Sequence, residues 1–117
     1  MIILFTSYPP SVNHYYGNGR GGRRFIKAAG QAYRSEVIAL VRQFKLKAPD
    51  GRLSVSIEMY PPDRRKRDCD NVFKCSLDAL TYAGVYKDDS LIDELRIVRR
   101  EVVKRGLLKI FIDSKQG

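Results

Sequence analysis

A chain of 117 residues, 44% hydrophobic and 30% charged, has the size and composition of one globular domain, residues 1–117, which excludes two independent cores and a disordered polyelectrolyte. Its 22 Lys and Arg against 13 Asp and Glu give a formal charge of +9, a balance that favours a polyanion, nucleic acid first, over a small neutral ligand. No stretch approaches the roughly 18 apolar residues of a membrane span, and the opening run MIILF lacks the basic start and cleavage site of a secretory signal, so a cytoplasmic protein with no membrane partner is expected.

Residues 1–8 are apolar and β-prone until Pro9-Pro10 removes the ladder donors, which predicts a first strand. Residues 11–24, SVNHYYGNGRGGRR, carry too much glycine, asparagine and arginine for a packed element, and a long basic loop with two embedded tyrosines is expected. Between Lys27 and Phe44, apolar residues recur at Ala29, Ala32, Tyr33, Val37, Leu40, Val41 and Phe44, the three-and-four spacing of a helix face. After the turn Pro49-Asp50-Gly51, Leu53, Val55, Ile57 and Met59 alternate with Ser54, Ser56, Glu58 and Tyr60, which predicts a half-buried strand.

Pro61-Pro62 ends that strand, and a second helix follows from about Asp70 to Ala83 on the apolar positions Phe73, Leu77 and Leu80, with Gly84 placed to cap it. Residues 86–90 form a loop, and residues 91–103 and 107–112 read as two strands joined by the turn Lys104-Arg105-Gly106. The order β-α-β-α-β-β predicts an α+β, two-layer fold with two helices on one mixed sheet. Cys69 and Cys75 have no companion ligands for a zinc site and are expected as reduced, packed thiols.

Asp68 and Asp70 stand two apart at the entry to the second helix, where both carboxylates can point the same way. Oxygen ligands of this kind suit Mg²⁺, which keeps several waters and needs only one or two carboxylates plus a phosphate oxygen. Four consecutive cations, Arg64, Arg65, Lys66 and Arg67, lead into the pair and would draw a DNA backbone to it. Lys74 lies one helical turn beyond Asp70, within reach of a scissile phosphate or the attacking water. Asp88-Asp89 opens a loop before a strand and offers a second acidic pair to complete the first. Plainer roles compete: Asp70 as a helix cap, Lys74 as an exposed ion pair with Asp70 and Asp78, Asp88-Asp89 as a solvated turn, the cation run as a solvated face, and Tyr15 and Tyr16 as packing residues.

The strings PPSVNHYY, GQAYR, PPDRRKRDCDN, DALTYAG and KDD resemble, in order and separation, the RusA family of Holliday-junction resolvases. The resemblance implies a homodimeric, Mg²⁺-dependent endonuclease, with Mn²⁺ a possible substitute, that resolves four-way DNA junctions by paired symmetric nicks. It puts the family's catalytic aspartates on Asp68, Asp70 and Asp89, also the metal ligands, and its catalytic lysine on Lys74. DNA contacts are expected from Arg64, Arg65, Lys66, Arg67, Tyr15, Tyr16, Arg20, Arg23 and Arg24, although the loop from Asn13 to Arg24 is richer in glycine than the family's version. The alternative is a non-catalytic basic nucleic-acid-binding module in which the same aspartates serve as caps and turn residues.

Overall fold

The computed structural model describes residues 1–115; the last two residues of the expected domain lie outside the described part. In chain order the elements are β1 (Ile2–Ser7), α1 (Val12–Tyr15), β2 (Tyr16–Asn18), β3 (Arg24–Ile26), α2 (Ala28–Phe44), β4 (Leu53–Tyr60), α3 (Cys69–Tyr82), β5 (Ile92–Arg99) and β6 (Leu107–Ser114). Single 3₁₀ turns occupy Arg20–Gly22 and Asp89–Leu91.

β4 shows why the sheet has one buried face. Leu53, Val55, Ile57 and Met59 are fully buried while their polar neighbours are only partly covered, the alternation that period-two geometry demands. Leu108, Ile110 and Ile112 of β6 and Ile2 and Leu4 of β1 extend the same apolar floor. Tyr33, Val37 and Val41 from α2 and Val72, Cys75, Ala79 and Leu80 from α3 join that cluster, so the two long helices form the second layer of an α+β fold. The opposite sheet face is open, with Ile3 and Phe5 about half exposed, at 51% and 56%.

The four-stranded sheet runs β1-β6-β4-β5, antiparallel except for the parallel pair β4 and β5. This corrects the last connection expected from sequence. β5 and β6 are not partners but flank β4 on either side. The left-handed turn is present, with Arg105 at φ 70° and Gly106 at φ 69°. It is preceded by residues 100–103, which hydrogen-bond to the end of β4 through Arg100 N to the Met59 carbonyl and Val103 N to the Pro61 carbonyl. β5 therefore stops at Arg99 rather than at residue 103, and the chain steps over β4 before reversing. Crossing one strand spans only about 10 Å at normal strand spacing, well within the reach of the intervening residues.

The expected basic loop is also more ordered than its composition suggests. It holds one helical turn, α1, and a small hairpin of β2 and β3 paired as Tyr16 with Ile26, Gly17 with Phe25 and Asn18 with Arg24. Gly30 lets this segment lie against α2, because a side chain there would meet the Tyr15 carbonyl at 2.6 Å. The Tyr15 carbonyl also accepts from Lys27 N at 2.8 Å, tying α1 to the start of α2.

Candidate active site

The basic run before α3 is shaped by Asp63. Its carboxylate accepts from the backbone of Arg65 at 2.9 Å and from Arg67 Nη2 at 3.0 Å to each oxygen. Those bonds, the Arg65 backbone donor foremost, hold the Asp63 carboxyl below the usual aspartate range. Arg67 is thereby a brace: it lies over the Tyr8 ring at 5.4 Å, and its carbonyl accepts from Arg99. Arg64, Arg65 and Lys66 stay exposed, so these three form the outward part of the expected DNA-contacting run.

Asp68 is the N-cap residue of α3 by backbone conformation, at φ −91° and ψ 134°, yet its side chain makes no capping bond. Asp70 follows in the first helical turn and is exposed, where the helix dipole favours negative charge. Neither carboxylate has a hydrogen-bond or ion-pair partner among the described residues, so their oxygens are free for a ligand. A hollow of about 160 Å³ is lined by Asp68 together with Tyr8, Ser11, Lys66 and Asn71 among others, but not by Asp70.

Lys74 lies one turn further along α3. The ion pair with Asp78 that its spacing allows does not form, because Asp78 is taken by Arg34 from α2, with Nη2 2.9 Å and Nε 3.0 Å from Oδ2. The Lys74 ammonium instead faces the Tyr16 ring, 5.7 Å from its centroid, and the Arg24 guanidinium faces the same ring at 4.4 Å. Burial, then the nearby Asp78 charge, pushes the Tyr16 hydroxyl up to about 12. Arg20, Arg23 and Arg24 are exposed around the hairpin tip. Tyr15 is a correction: it is fully buried, donates its hydroxyl to Asp78 and accepts from Arg34 Nε at 3.2 Å, so its ring is not available to stack on a base. Sequence reasoning gave Arg34 and the Asp78 pair no role in the site. The Asp70, Lys74, Asp78 stripe at helical spacing was the signal that pointed to the face they share.

Asp88 caps the turn Asp89–Leu91, accepting from Ser90 N at 3.4 Å and Ser90 Oγ at 2.9 Å. The Ser90 hydroxyl, foremost, lowers the Asp88 carboxyl, while its hydrogen bond and charge at Asp89 raise that neighbour. The expected gathering of Asp89 with Asp68 and Asp70 does not occur within one chain, and no three acidic, His or Cys side chains cluster to hold a metal among the described residues. Topology explains it. β4 and β5 are parallel and α3 connects them, so the helix begins at the far end of β4 and ends near the start of β5. Asp68 and Asp70 sit at the first end and Asp89 follows the second, separated by a 14-residue helix of about 21 Å.

Two carboxylates without partners, an ammonium without an acidic partner on the same helix and a strongly cationic surface are features that phosphodiester cleavage can use. Comparison with known proteins narrows this. A family model described as "Endodeoxyribonuclease RusA" matches residues 7–113. The chain is 42% identical over 109 residues to the crossover junction endodeoxyribonuclease of Enterobacteria phage 82, covering 90% of this chain and 88% of that protein. It is 42% identical over 106 residues to the protein of that name from Shigella sonnei (strain Ss046) and 41% identical over 106 residues to the one from Escherichia coli (strain K12), with the same coverage. The chain belongs to the RusA endodeoxyribonuclease family.

Proposed function

We propose that the chain is a single-domain, Mg²⁺-dependent endodeoxyribonuclease of the cytoplasm that resolves four-way DNA junctions by paired nicks. The observation that carries the reading is the pair of exposed, unpartnered carboxylates Asp68 and Asp70, set between the outward cations Arg64, Arg65 and Lys66 and the unpaired Lys74. Two carboxylates with free oxygens fit a hard divalent cation, Mg²⁺ or in its place Mn²⁺. When bound, that cation would supply polarisation of the phosphodiester and a lowered pKa for a water. Lys74 places its ammonium where negative charge grows on the phosphoryl oxygens, and the cleaved bond leaves a 5′-phosphate and a 3′-hydroxyl. Arg20, Arg23, Arg24 and the Arg64–Lys66 stretch neutralise backbone phosphates.

A homodimer belongs to this reading. A four-way junction has near two-fold symmetry, and two symmetric nicks call for two copies of the site. Two chains set antiparallel along α3 would bring Asp89 of the partner subunit to Asp68 and Asp70, twice over, which supplies the third carboxylate that one chain leaves at the other end of the helix.

The test is incubation of a labelled four-way junction with the native chain and with Asp70→Asn, with Mg²⁺ and with chelator. Native protein is expected to cut only with the metal, and Asp70→Asn to bind the junction without cutting. Folded native protein that leaves every junction intact in both Mg²⁺ and Mn²⁺ would establish the rival, a basic binding module in which the aspartates are caps and turns.

A further inference from the structure

Lysine is a flexible side chain, and a catalytic ammonium is useful only when held near the productive geometry. In this protein the holding group is not a carboxylate. Asp78, the acid one turn beyond Lys74, is occupied by Arg34 and by the Tyr15 hydroxyl, which leaves the Tyr16 ring as the feature that the ammonium faces, at 5.7 Å. An aromatic face attracts a cation at this range through its quadrupole. The ring is itself fixed. Tyr15, its neighbour in sequence, is fully buried, packs on it at a centroid distance of 4.6 Å, and is bound to Asp78 on α3 and Arg34 on α2. Arg34 in turn lies over Tyr82 at 4.3 Å, so the network reaches both long helices.

We propose that Tyr16 is the positioning residue for Lys74, its ring holding the Lys74 ammonium for the phosphate being cut, anchored by the Tyr15–Asp78–Arg34 network. This rests on the reading of Lys74 as catalytic. The hairpin of β2 and β3 thus contributes to the chemistry as well as to binding, because Tyr16 arrives from it while Lys74 arrives from α3.

The experiment is a double-mutant cycle on single-turnover cutting of a labelled junction with Mg²⁺, with junction affinity read separately in Ca²⁺ and folding checked by thermal unfolding. Tyr16→Leu is expected to slow cutting roughly three- to tenfold, the range a cation–ring contact can carry, with affinity changed by less than about twofold. Tyr16→Phe, which keeps the ring, should recover most of that loss. In a Lys74→Met background, Tyr16→Leu should slow the residual cutting by less than about twofold. Equal slowing in both backgrounds, a loss confined to affinity, or native cutting by Tyr16→Leu beside an inactive Lys74→Met would each overturn the proposal while leaving Lys74 catalytic. Native cutting by Lys74→Met would overturn the role of Lys74 itself, and this proposal with it.

Discussion

At the scale of single residues, the polar centre of the site is the triad Tyr15, Arg34 and Asp78. The Arg34 and Asp78 side chains are only 15% and 28% exposed, so removing one partner leaves the others with unmet hydrogen-bonding capacity in a poorly solvated place. Asp78→Ala is expected to lower stability by roughly 1–3 kcal/mol, read as a lower urea midpoint at unchanged slope. Asp70→Asn, at an exposed position, should cost no more than about 1 kcal/mol through the helix dipole. A comparable loss in both would mean that the bonds among Tyr15, Arg34 and Asp78 add no stability beyond that of an exposed charge. Tyr86 gives a pH signature. Burial pushes its hydroxyl from the ordinary value of 10 up to about 12, with the Thr81 side chain acting against that shift. The folded chain then holds a proton that the unfolded chain has lost, so this contribution is intact below about pH 10 and disappears as pH rises through 12. Thermal unfolding followed from pH 9 to 12 should show a falling midpoint, and Tyr86→Phe should flatten that fall. An unchanged slope in the variant would remove Tyr86 from the account.

At the scale of elements, the close approach of α1 to α2 depends on Gly30. A methyl group there would meet backbone, the Tyr15 carbonyl at 2.6 Å, as well as the Ile26 side chain at 2.7 Å, and a backbone atom cannot rotate away. Gly30→Ala is expected to cost about 1–3 kcal/mol and to slow junction cutting by displacing Tyr15 and Tyr16. Native stability together with native cutting would contradict this. What the sequence made legible follows the same local logic. α2 and β4 were readable because each buries the periodic face that the sequence shows, as Val37 and Val41 and Val55 and Ile57 do. The sequence pattern of α3 rests instead on Phe73, Leu77 and Leu80, of which Leu80 alone is buried, while Val72, Cys75 and Ala79 carry the rest of its inner face. The turn at Lys104-Arg105-Gly106 was readable too, but not which strands it joins in space, because β4 lies between them and pairing partners are decided by non-local burial. The three-residue strands β2 and β3 are too short to show any period. In the site, Asp68, Asp70 and Lys74 could be picked out because their spacing is local. The bond from Arg34 to Asp78 spans 44 positions, and no local pattern encodes it.

At the scale of the whole molecule, the decisive prediction concerns how two chains share one site. Asp70→Asn and Asp89→Asn are each expected to abolish cutting alone. Mixed together and allowed to exchange subunits, they should regain nicking, because a mixed dimer of the proposed kind holds one fully intact composite site and one doubly disabled one. Nicks without paired resolution are the expected product. A mixture that stays inactive, although exchange is verified by differently tagged chains, would show that the antiparallel arrangement is wrong.

The placement of Asp68 and Asp70 at one end of α3 and of Asp89 beyond the other bears on where the two strands are severed. In the proposed pairing, a stiff rod of 14 residues, about 21 Å long, acts as a ruler fixing the gap between the two cuts. The protein then dictates that gap, and the flexible crossover must conform to it.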